Sequence, residues 1–365
     1  MERKDLMYID RRLGLVLGLI AMTALVLVGC GRGGGVDSGQ GDGGNQEKSY
    51  TIRLSHVVTD QTPKGLAAKK FAELLEQKSD GRIKVDVFPN SELLGDAEEM
   101  QAIQKGSVQM LAPTTSKFTT ISKNMQVLDL PFIFDNYDDF KKITAKKTPV
   151  GKILYQNKEL ASKNIKVLAL WPDGFKQLAS NKPIRTPEDL KGQKIRVQPA
   201  DVLKTMFNTW GAQPTSIDFA ELYTALEQGV VEGHENPYSV IYGSKASEVQ
   251  KYITESSHGT NVSVAAINAD FFEELPKDLQ EDVVSAAEEA SVYGSKIALQ
   301  QNTKGKKQIQ EAGTTEIIEL SPEQRQAFKD EVVPKVWDEY SDVIGKDVIE
   351  YLKEQQGSGG DVVKY

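Results

Sequence analysis

Cysteine and histidine are scarce in this sequence. Its 365 residues include one cysteine, Cys30, and three histidines, His56, His234 and His258. A single cysteine excludes an intramolecular disulfide and a metal site built on several thiolates, and its position near the start of the chain argues against a catalytic thiol. The histidines lack the HExxH spacing that places two imidazoles on one helix face. We therefore predict no metal ion and no cofactor.

Basic residues are also in deficit, with 44 Lys and Arg against 52 Asp and Glu and a formal net charge of -8. An acidic chain of this kind argues against a nucleic-acid partner. No GxSxG, P-loop or paired-glycine fingerprint follows a strand pattern, so the sequence indicates a binding protein and not an enzyme. The alternative is a glycosidase-like pair of carboxylates hidden among the many acidic residues.

A long apolar run occupies residues 13–28, after a basic segment and just before Cys30. This order of features predicts a lipoprotein signal peptide over residues 1–29, with lipidation at Cys30. The alternative is an uncleaved membrane anchor in which the cysteine is an incidental thiol. Residues 30–48 are rich in glycine and predict a flexible tether. Both alternatives place the folded part outside the cytoplasm, anchored to the outer face of the cytoplasmic membrane.

Strand and helix patterns alternate through the folded part. A strand pattern at Tyr50–Val57 precedes a helix that begins near Thr62, and Asp96 and Glu99 form the capping-box pattern of a later helix. This alternation predicts an α/β fold with largely parallel sheets, and the chain length suits two domains. A long helix is predicted at about residues 277–312. Its apolar face becomes polar after about five turns, which suits a helix that connects the two domains.

One local pattern occurs three times: a helix ends in glycine, a short strand follows, and a proline comes next. The three segments are Gly106–Pro113, Gly192–Pro199 and Gly229–Pro237. We interpret them as equivalent strands whose ends meet at a common cleft, and the alternative is three ordinary connections. Arg196 lies near the end of the second strand, where α/β sheets bind ligands, and its planar guanidinium matches a carboxylate. The alternative role for Arg196 is a surface ion pair.

Six segments of the chain occur in an order that is characteristic of one family. They are HVVTDQTPKGLAAKKFAELL, FPNSELLGDAEEMQAIQKGSVQMLAP, DLPFIFD, GFKQLASNKPIRTPEDLKGQKIRV, ELYTALEQGVVEGHENP, and EVQKY followed by SSHG. Together they resemble the substrate-binding proteins of tripartite ATP-independent periplasmic (TRAP) transporters. Within that family, the elements GFKQ, TPKG, PNS and SHG are most similar to binders of four-carbon dicarboxylates.

The resemblance implies a two-domain clamp of the periplasmic-binding-protein type, with strands that cross between the domains. It places domain I at residues 49–173 and 262–301, domain II at 174–261 and 302–352, and a flexible tail at 353–365. The clamp would close on malate, succinate or fumarate and deliver it to membrane permease subunits. The alternatives are a sugar acid or 2-oxo acid as ligand, or a ligand-sensing subunit of a signalling protein.

Four site residues follow from the resemblance. Arg196 matches the arginine that pairs with the ligand carboxylate, and Asn236 matches an asparagine that hydrogen-bonds the same carboxylate, unless it is a turn residue before Pro237. Phe219 matches an aromatic residue that lines the ligand, with plain core packing as the alternative. Lys176 stands where many relatives carry arginine and is assigned to the second carboxylate of a dicarboxylate, unless it is a solvated loop lysine.

Four further candidates rest on chemistry as much as on resemblance. Lys64 lies in the first turn of a helix, where free backbone N-H groups and the helix dipole favour an anion; the alternative is a solvated lysine. His258 would donate to a carboxylate and give pH dependence near neutrality, or else is a structural histidine. Thr114 and Ser116 follow a strand end and offer hydroxyl groups at the rim of the cleft.

Overall fold

A nine-stranded mixed sheet organises residues 48–356 and 361–365, which are the residues that this computed structural model describes. The predicted signal peptide, Cys30 and the tether up to residue 47 lie outside the described residues. The strands are β1 (Tyr50–Ser55), β2 (Ile83–Phe88), β3 (Met110–Leu111), β4 (Ile165–Ser180), β5 (Lys194–Val197), β6 (Gln213–Ser216), β7 (Gly233–Asn236), β8 (Tyr252–Asn268) and β9 (Glu316–Glu319).

Helices connect most of the strands. They are α1 (Pro63–Lys78), α2 (Glu99–Gln104), α3 (Tyr137–Ile143), α4 (Pro149–Tyr155), α5 (Lys158–Ala161), α6 (Asp201–Thr209), α7 (Leu222–Glu227), α8 (Tyr238–Gly243), α9 (Ala269–Glu274), α10 (Lys277–Ala312), α11 (Pro322–Glu339), α12 (Ser341–Ile344) and α13 (Lys346–Gln355). Short 3-10 helices span Thr115–Thr120, Lys123–Asp129, Pro187–Leu190, Phe219–Glu221 and Ala246–Glu248. Within the described ranges, no helix combines the length and the apolar character needed to cross a membrane.

The strands follow the order β2-β1-β3-β8-β4-β7-β5-β6, with β9 paired to β8. Pairings at both ends of the sheet are parallel: β1 pairs with β2 and β3, and β5 pairs with β6 and β7. The antiparallel pairings are those of β8 with β3 and of β4 with β7 and β8. Since β4 and β8 pair along most of their length, they join the two halves of the sheet. The predicted α/β fold with crossing strands is confirmed.

The pairing of β4 with β8 shifts register at Pro172, Asp173 and Gly174, an irregularity that bends the strand. Gly174 has φ 139°, and an added Cβ would come within 2.4 Å of the Asn302 side-chain nitrogen. This is a conformation and a close approach that only glycine accommodates. Asn302 in α10 donates from Nδ2 to the Asp173 carbonyl at 2.8 Å, and its Oδ1 accepts from the Ser239 N-H at 3.0 Å. Hydrogen bonds of Asn302 therefore hold helix α10 against the bend of strand β4.

Helix α10 spans Lys277–Ala312, the predicted range, and ends in the left-handed Gly313 with φ 66°. Its first half buries an apolar stripe against α1 and β4, including Leu279 and Val283, whereas the buried positions of its second half include polar residues such as Lys306. The predicted change of character along one face is confirmed. It arises because the second half of the helix leaves that apolar core and packs against α8, where Lys306 pairs with Glu255 and Ile309 joins a separate apolar cluster.

The capping box predicted at Asp96 and Glu99 is wrong. Helix α2 begins at Glu99, and its N-cap residue, Glu98, makes no side-chain capping bond. The Asp96 carboxylate instead accepts a hydrogen bond from the Phe219 N-H at 2.7 Å, across 123 positions of sequence. A long-range partner has displaced the local capping bond that the spacing suggested.

The last five residues are docked, although the sequence predicted a flexible tail over 353–365. Helix α13 continues to Gln355, and the Val363 N-H donates to the Asp135 carbonyl at 2.8 Å. The Tyr365 hydroxyl accepts from the Phe175 N-H at 2.8 Å, and it lies 3.3 Å from the Tyr137 hydroxyl. Residues 361–365 therefore contact strand β4 just after its bend.

We expect the Tyr365→Phe variant to lose about 1 to 3 kcal/mol of unfolding free energy, because the Phe175 N-H is left without its acceptor. Urea unfolding followed by circular dichroism measures the change. Tyr242→Phe is the matched control, since the Tyr242 side chain is 41% exposed. Equal unfolding midpoints for both variants and the parent protein would show that the docked tyrosine contributes nothing to stability.

Candidate functional site

Both halves of the sheet deliver strand ends to one small cavity. From the first half come the loop after β1, helix α2 and the segment after β3; from the second half come β5, β7 and the segment after β6. The lining residues are Val57, Val58, Lys64, Asp96, Glu99, Pro113, Thr114, Lys117, Arg196, Gln198, Phe219, Asn236, Val240 and Asn261. The cavity encloses about 20 Å³, roughly the space of one water molecule, so a larger ligand requires the two halves of the sheet to move apart. All three glycine-strand-proline segments contribute to the lining, as predicted.

Arg196 is a buried cation without an anion beside it. Its side chain lies in β5, the residue is 1% exposed, and Nε donates to the Ile217 carbonyl at 2.8 Å. Within the described residues it forms no ion pair. Burial lowers the pKa of Arg196, and the more distant carboxylates of Asp96, Glu235 and Asp218 oppose that shift. A guanidinium remains charged even so, and an unpaired buried charge is costly, so this position favours an incoming anion.

Asn236 lies on the neighbouring strand and is held by His234. The Asn236 Nδ2 donates to the His234 Nδ1 at 3.0 Å. Burial, with a smaller contribution from the Arg196 charge, lowers the pKa of His234 to about 3, so the imidazole is neutral and can accept this bond. One N-H of the Asn236 amide is thereby occupied. The second N-H is free to donate to the same anion that Arg196 attracts.

Two lysines face the cavity from the first half of the sheet. Lys64 lies in the first turn of α1, is 3% exposed and, within the described residues, makes no ion pair. Lys117 pairs with Asp96 at 2.9 Å. Although burial opposes ionisation of Asp96, the Lys117 charge and the Phe219 N-H together lower its pKa. Lys117 thus has an ion-pair partner, whereas Lys64 and Arg196 form no ion pair within the described residues.

Phe219 and Thr114 also line the cavity, as predicted. Phe219 is half-buried and packs against the apolar cluster that contains Leu222. The sequence offered two roles for this residue, lining the ligand and packing in the core, and the position of Phe219 is compatible with both. The Thr114 hydroxyl shares a hydrogen bond of 2.8 Å with the hydroxyl of Ser116. Ser116 itself is fully buried behind Thr114 and does not line the cavity.

Lys176 and His258 lie outside the cavity, beside the buried carboxylate of Glu235. Lys176 Nζ donates to Glu235 Oε1 at 2.8 Å and to Gln198 Oε1 at 3.3 Å, and His258 Nε2 lies 2.7 Å from Glu235 Oε2. Neither residue lines the cavity. Lys176 is therefore neither a solvated loop lysine nor a free cation, because Glu235 neutralises it directly behind the cavity.

Burial and the neighbouring charges together set the ionisation of Glu235 and His258. Although burial raises the pKa of Glu235, the Lys176 charge and the His258 hydrogen bond lower it to about 2. Burial lowers the pKa of His258 below its usual value despite the neighbouring Glu235. His258 Nε2 faces the Glu235 carboxylate, while its Nδ1 lies 2.7 Å from the Ser256 hydroxyl. The expectation that His258 titrates near neutrality stays a prediction.

The sequence interpretation missed three titratable residues in the cavity: Lys117, Asp96 and Glu99. Lys117 follows the same strand end as Thr114 and Ser116, so its position was available as a signal. Asp96 and Glu99 had been assigned to a helix cap. Their role in the cavity depends on the segments around Lys64 and Phe219, which are distant in sequence.

Comparison with known proteins agrees with this architecture. The family model of the bacterial extracellular solute-binding proteins, family 7 (DctP), matches residues 54–342. The C4-dicarboxylate-binding periplasmic protein DctP of Rhodobacter capsulatus is 41% identical over 303 residues, which are 83% of this chain and 90% of that protein.

Two solved structures are also similar to this chain. A TRAP periplasmic solute-binding protein from Shewanella oneidensis with bound succinate matches with a TM-score of 0.79 and 38% identity, over 83% of this chain and 98% of that one. The sugar acid-binding protein DctPAm of Advenella mimigardefordensis, in complex with galactonate, matches with a TM-score of 0.79 and 30% identity, over 84% of this chain and 97% of that one. The resemblance derived from the sequence is confirmed, and the chain belongs to family 7 of the bacterial extracellular solute-binding proteins, the DctP family.

Proposed function

We propose that this protein binds a four-carbon dicarboxylate in the cavity between the two halves of the sheet. Arg196 and the free N-H of Asn236 hold one carboxylate, and Lys64 attracts the other. The observation that carries the proposal is the pair of buried cations, Arg196 and Lys64, which have no ion-pair partner within the described residues. Succinate bound to the Shewanella oneidensis relative and the name of the Rhodobacter capsulatus relative support the same ligand class.

The charges around the cavity support a ligand with two negative charges. Three cations line it, Arg196, Lys64 and Lys117, and Asp96 contributes one negative charge. Burial raises the pKa of Glu99 to about 8, so at neutral pH this carboxyl group is uncharged. The lining thus has an excess of two positive charges. Because charges interact more strongly where water is excluded, a dianion gains more here than a monoanion does.

We further propose that binding is coupled to a hinge movement at the bend of the crossing strands. The domain boundaries expected from the sequence, at 173/174, 261/262 and 301/302, involve residues that contact one another at this bend. Gly174 pairs with Asn261, and the Asn302 amide donates to the Asp173 carbonyl. Hinges are formed by a few residues that absorb backbone rotation, and the glycine at this bend supports such a role. Closure brings the Lys64 and Arg196 sides together around the ligand and excludes water.

The wider role follows from the family. We propose that the ligand-bound protein delivers its dicarboxylate to TRAP-type membrane permease subunits, because related proteins of known structure are TRAP solute-binding proteins. We retain the lipidated Cys30 and the glycine-rich tether as the proposed means of holding it at the outer face of the cytoplasmic membrane. Growth and uptake of labelled succinate by cells with and without the Cys30→Ala variant test this anchoring.

Isothermal titration calorimetry with the full chain tests the ligand class. Succinate, malate and fumarate are compared with butyrate, which has one carboxylate, and with galactonate, a larger sugar acid. We expect at least one dicarboxylate to bind at least about tenfold more tightly than butyrate, which corresponds to about 1.4 kcal/mol. Tighter binding of galactonate than of every dicarboxylate would assign the cavity to a sugar acid instead.

A further inference from the structure

Glu99 is a residue of the cavity to which the proposed function gives no contact with the ligand. It begins helix α2, lines the cavity and is 1% exposed. Neither of its carboxyl oxygens has a hydrogen-bond partner within the described residues. A buried carboxyl group with two unpaired oxygens is costly, and it is far more costly in its ionised form. A hydrogen-bond partner for these two oxygens must therefore come from outside the described residues, for example from a bound ligand.

Charged groups surround Glu99 from four other segments. Lys64 of α1 and Lys117 after β3 favour its ionised form, and Asp96 before α2 and Asp218 after β6 oppose it. Arg196 of β5 faces the same cavity. Burial outweighs the two lysines, so the proton stays on the carboxyl group at neutral pH. A carboxylic acid in this state has an O-H to donate.

We infer that Glu99 is a ligand-binding residue that donates its O-H to a carboxylate oxygen of the bound dicarboxylate, so that binding above neutral pH takes up a proton. This inference rests on the proposed function, because only an anionic ligand provides the acceptor. An ionised Glu99 would face the dianion with a like charge in a buried site, which disfavours binding. A protonated Glu99 adds a neutral donor and leaves the positive excess of the site intact.

Succinate affinity as a function of pH separates this role from a structural one. Both carboxylates of succinate are ionised between pH 7 and pH 9, so the ligand itself does not titrate there. With a free-state pKa of about 8, we expect the affinity of the parent protein to fall about tenfold from pH 7 to pH 9. Glu99→Gln keeps a donor that does not titrate. Its affinity at pH 7 should stay within about threefold of the parent value, and we expect it to change less than about twofold up to pH 9.

Proton uptake is measured independently by calorimetry in two buffers with different ionisation enthalpies. At pH 8 we expect the parent protein to take up about half a proton per succinate and Glu99→Gln to take up none. Glu98→Gln is the matched control, because Glu98 is the exposed neighbour of Glu99 and does not line the cavity. This variant should retain both the pH dependence and the proton uptake.

The outcomes also distinguish the two proposals. If the parent protein fails to bind any dicarboxylate at pH 7, the proposed function is wrong. If it binds succinate at pH 7 with an affinity that stays constant to pH 9 and without proton uptake, only the role of Glu99 is overturned. The same conclusion follows if Glu99→Gln shows the pH dependence of the parent protein.

Discussion

The Arg196→Ala variant should bind succinate more weakly than the parent protein by roughly 2 to 5 kcal/mol, or about thirtyfold to several thousandfold in Kd. The guanidinium is fully buried, and within the described residues its one hydrogen bond goes from Nε to the Ile217 carbonyl. Its other N-H groups are therefore available to a carboxylate as a planar fork. Without them, the carboxylate would be removed from water and left without its partner. Titration calorimetry at pH 7 measures the loss.

Two further arginine variants sharpen this test. Arg185→Ala is the matched control, because the Arg185 side chain is 52% exposed and its guanidinium pairs with the Glu316 carboxylate at 3.7 Å. We expect its affinity to change by less than about 0.5 kcal/mol. Arg196→Lys keeps the charge and loses the planar fork, so its affinity should lie between those of the parent protein and Arg196→Ala. A loss below about 1 kcal/mol in Arg196→Ala would remove this residue from the binding site.

Features set by local sequence were predictable. Helix α10 begins after Pro276 and ends at the left-handed Gly313, so proline, glycine and the apolar period together define its limits. The ends of β3, β5 and β7 were equally accessible, because a proline follows each of them within two residues. Since parallel strands bring such ends to the same edge of a sheet, Arg196 and Asn236 could be assigned to one cavity.

Features set by long-range pairing were not predictable in this way. Lys176 and Glu235 are 59 positions apart and contact each other because β4 and β7 are antiparallel neighbours. The sequence alone shows a lysine where relatives carry arginine, and it does not show which acid neutralises that lysine. Asp96 is a similar case, because the capping-box spacing is local whereas its actual partners, Lys117 and the Phe219 N-H, come from other elements.

Because Lys176 pairs with Glu235, its substitution is expected to lower folding stability and not dicarboxylate affinity. Assignment to the second carboxylate predicts that a Lys176 variant loses dicarboxylate affinity far more than monocarboxylate affinity. In the structure its ammonium group lies 2.8 Å from Glu235 Oε1, and both side chains are buried, with 2% and 0% exposure. We therefore expect the main effect of Lys176→Met to be on folding stability. The ratio of succinate to butyrate affinity should change less than about threefold, and a decrease of more than tenfold with unchanged stability would restore the ligand role.

Lys176→Met should lower the free energy of unfolding by about 3 to 5 kcal/mol at pH 7, because it leaves the Glu235 carboxylate buried without its cation. In the parent protein the pKa of Glu235 is lowered from 4.5 to about 2, so its contribution is present above pH 4.5 and is lost as the pH falls through 2. The difference between variant and parent protein should consequently be largest above pH 5 and decrease towards pH 3. Urea unfolding at several pH values measures this, with Lys182→Met as control, since Lys182 and Glu232 form an ion pair whose side chains are 61% and 33% exposed. An unfolding deficit of less than about 1 kcal/mol, or one that grows in acid, would contradict the assignment of Lys176 as the buried counter-ion of Glu235.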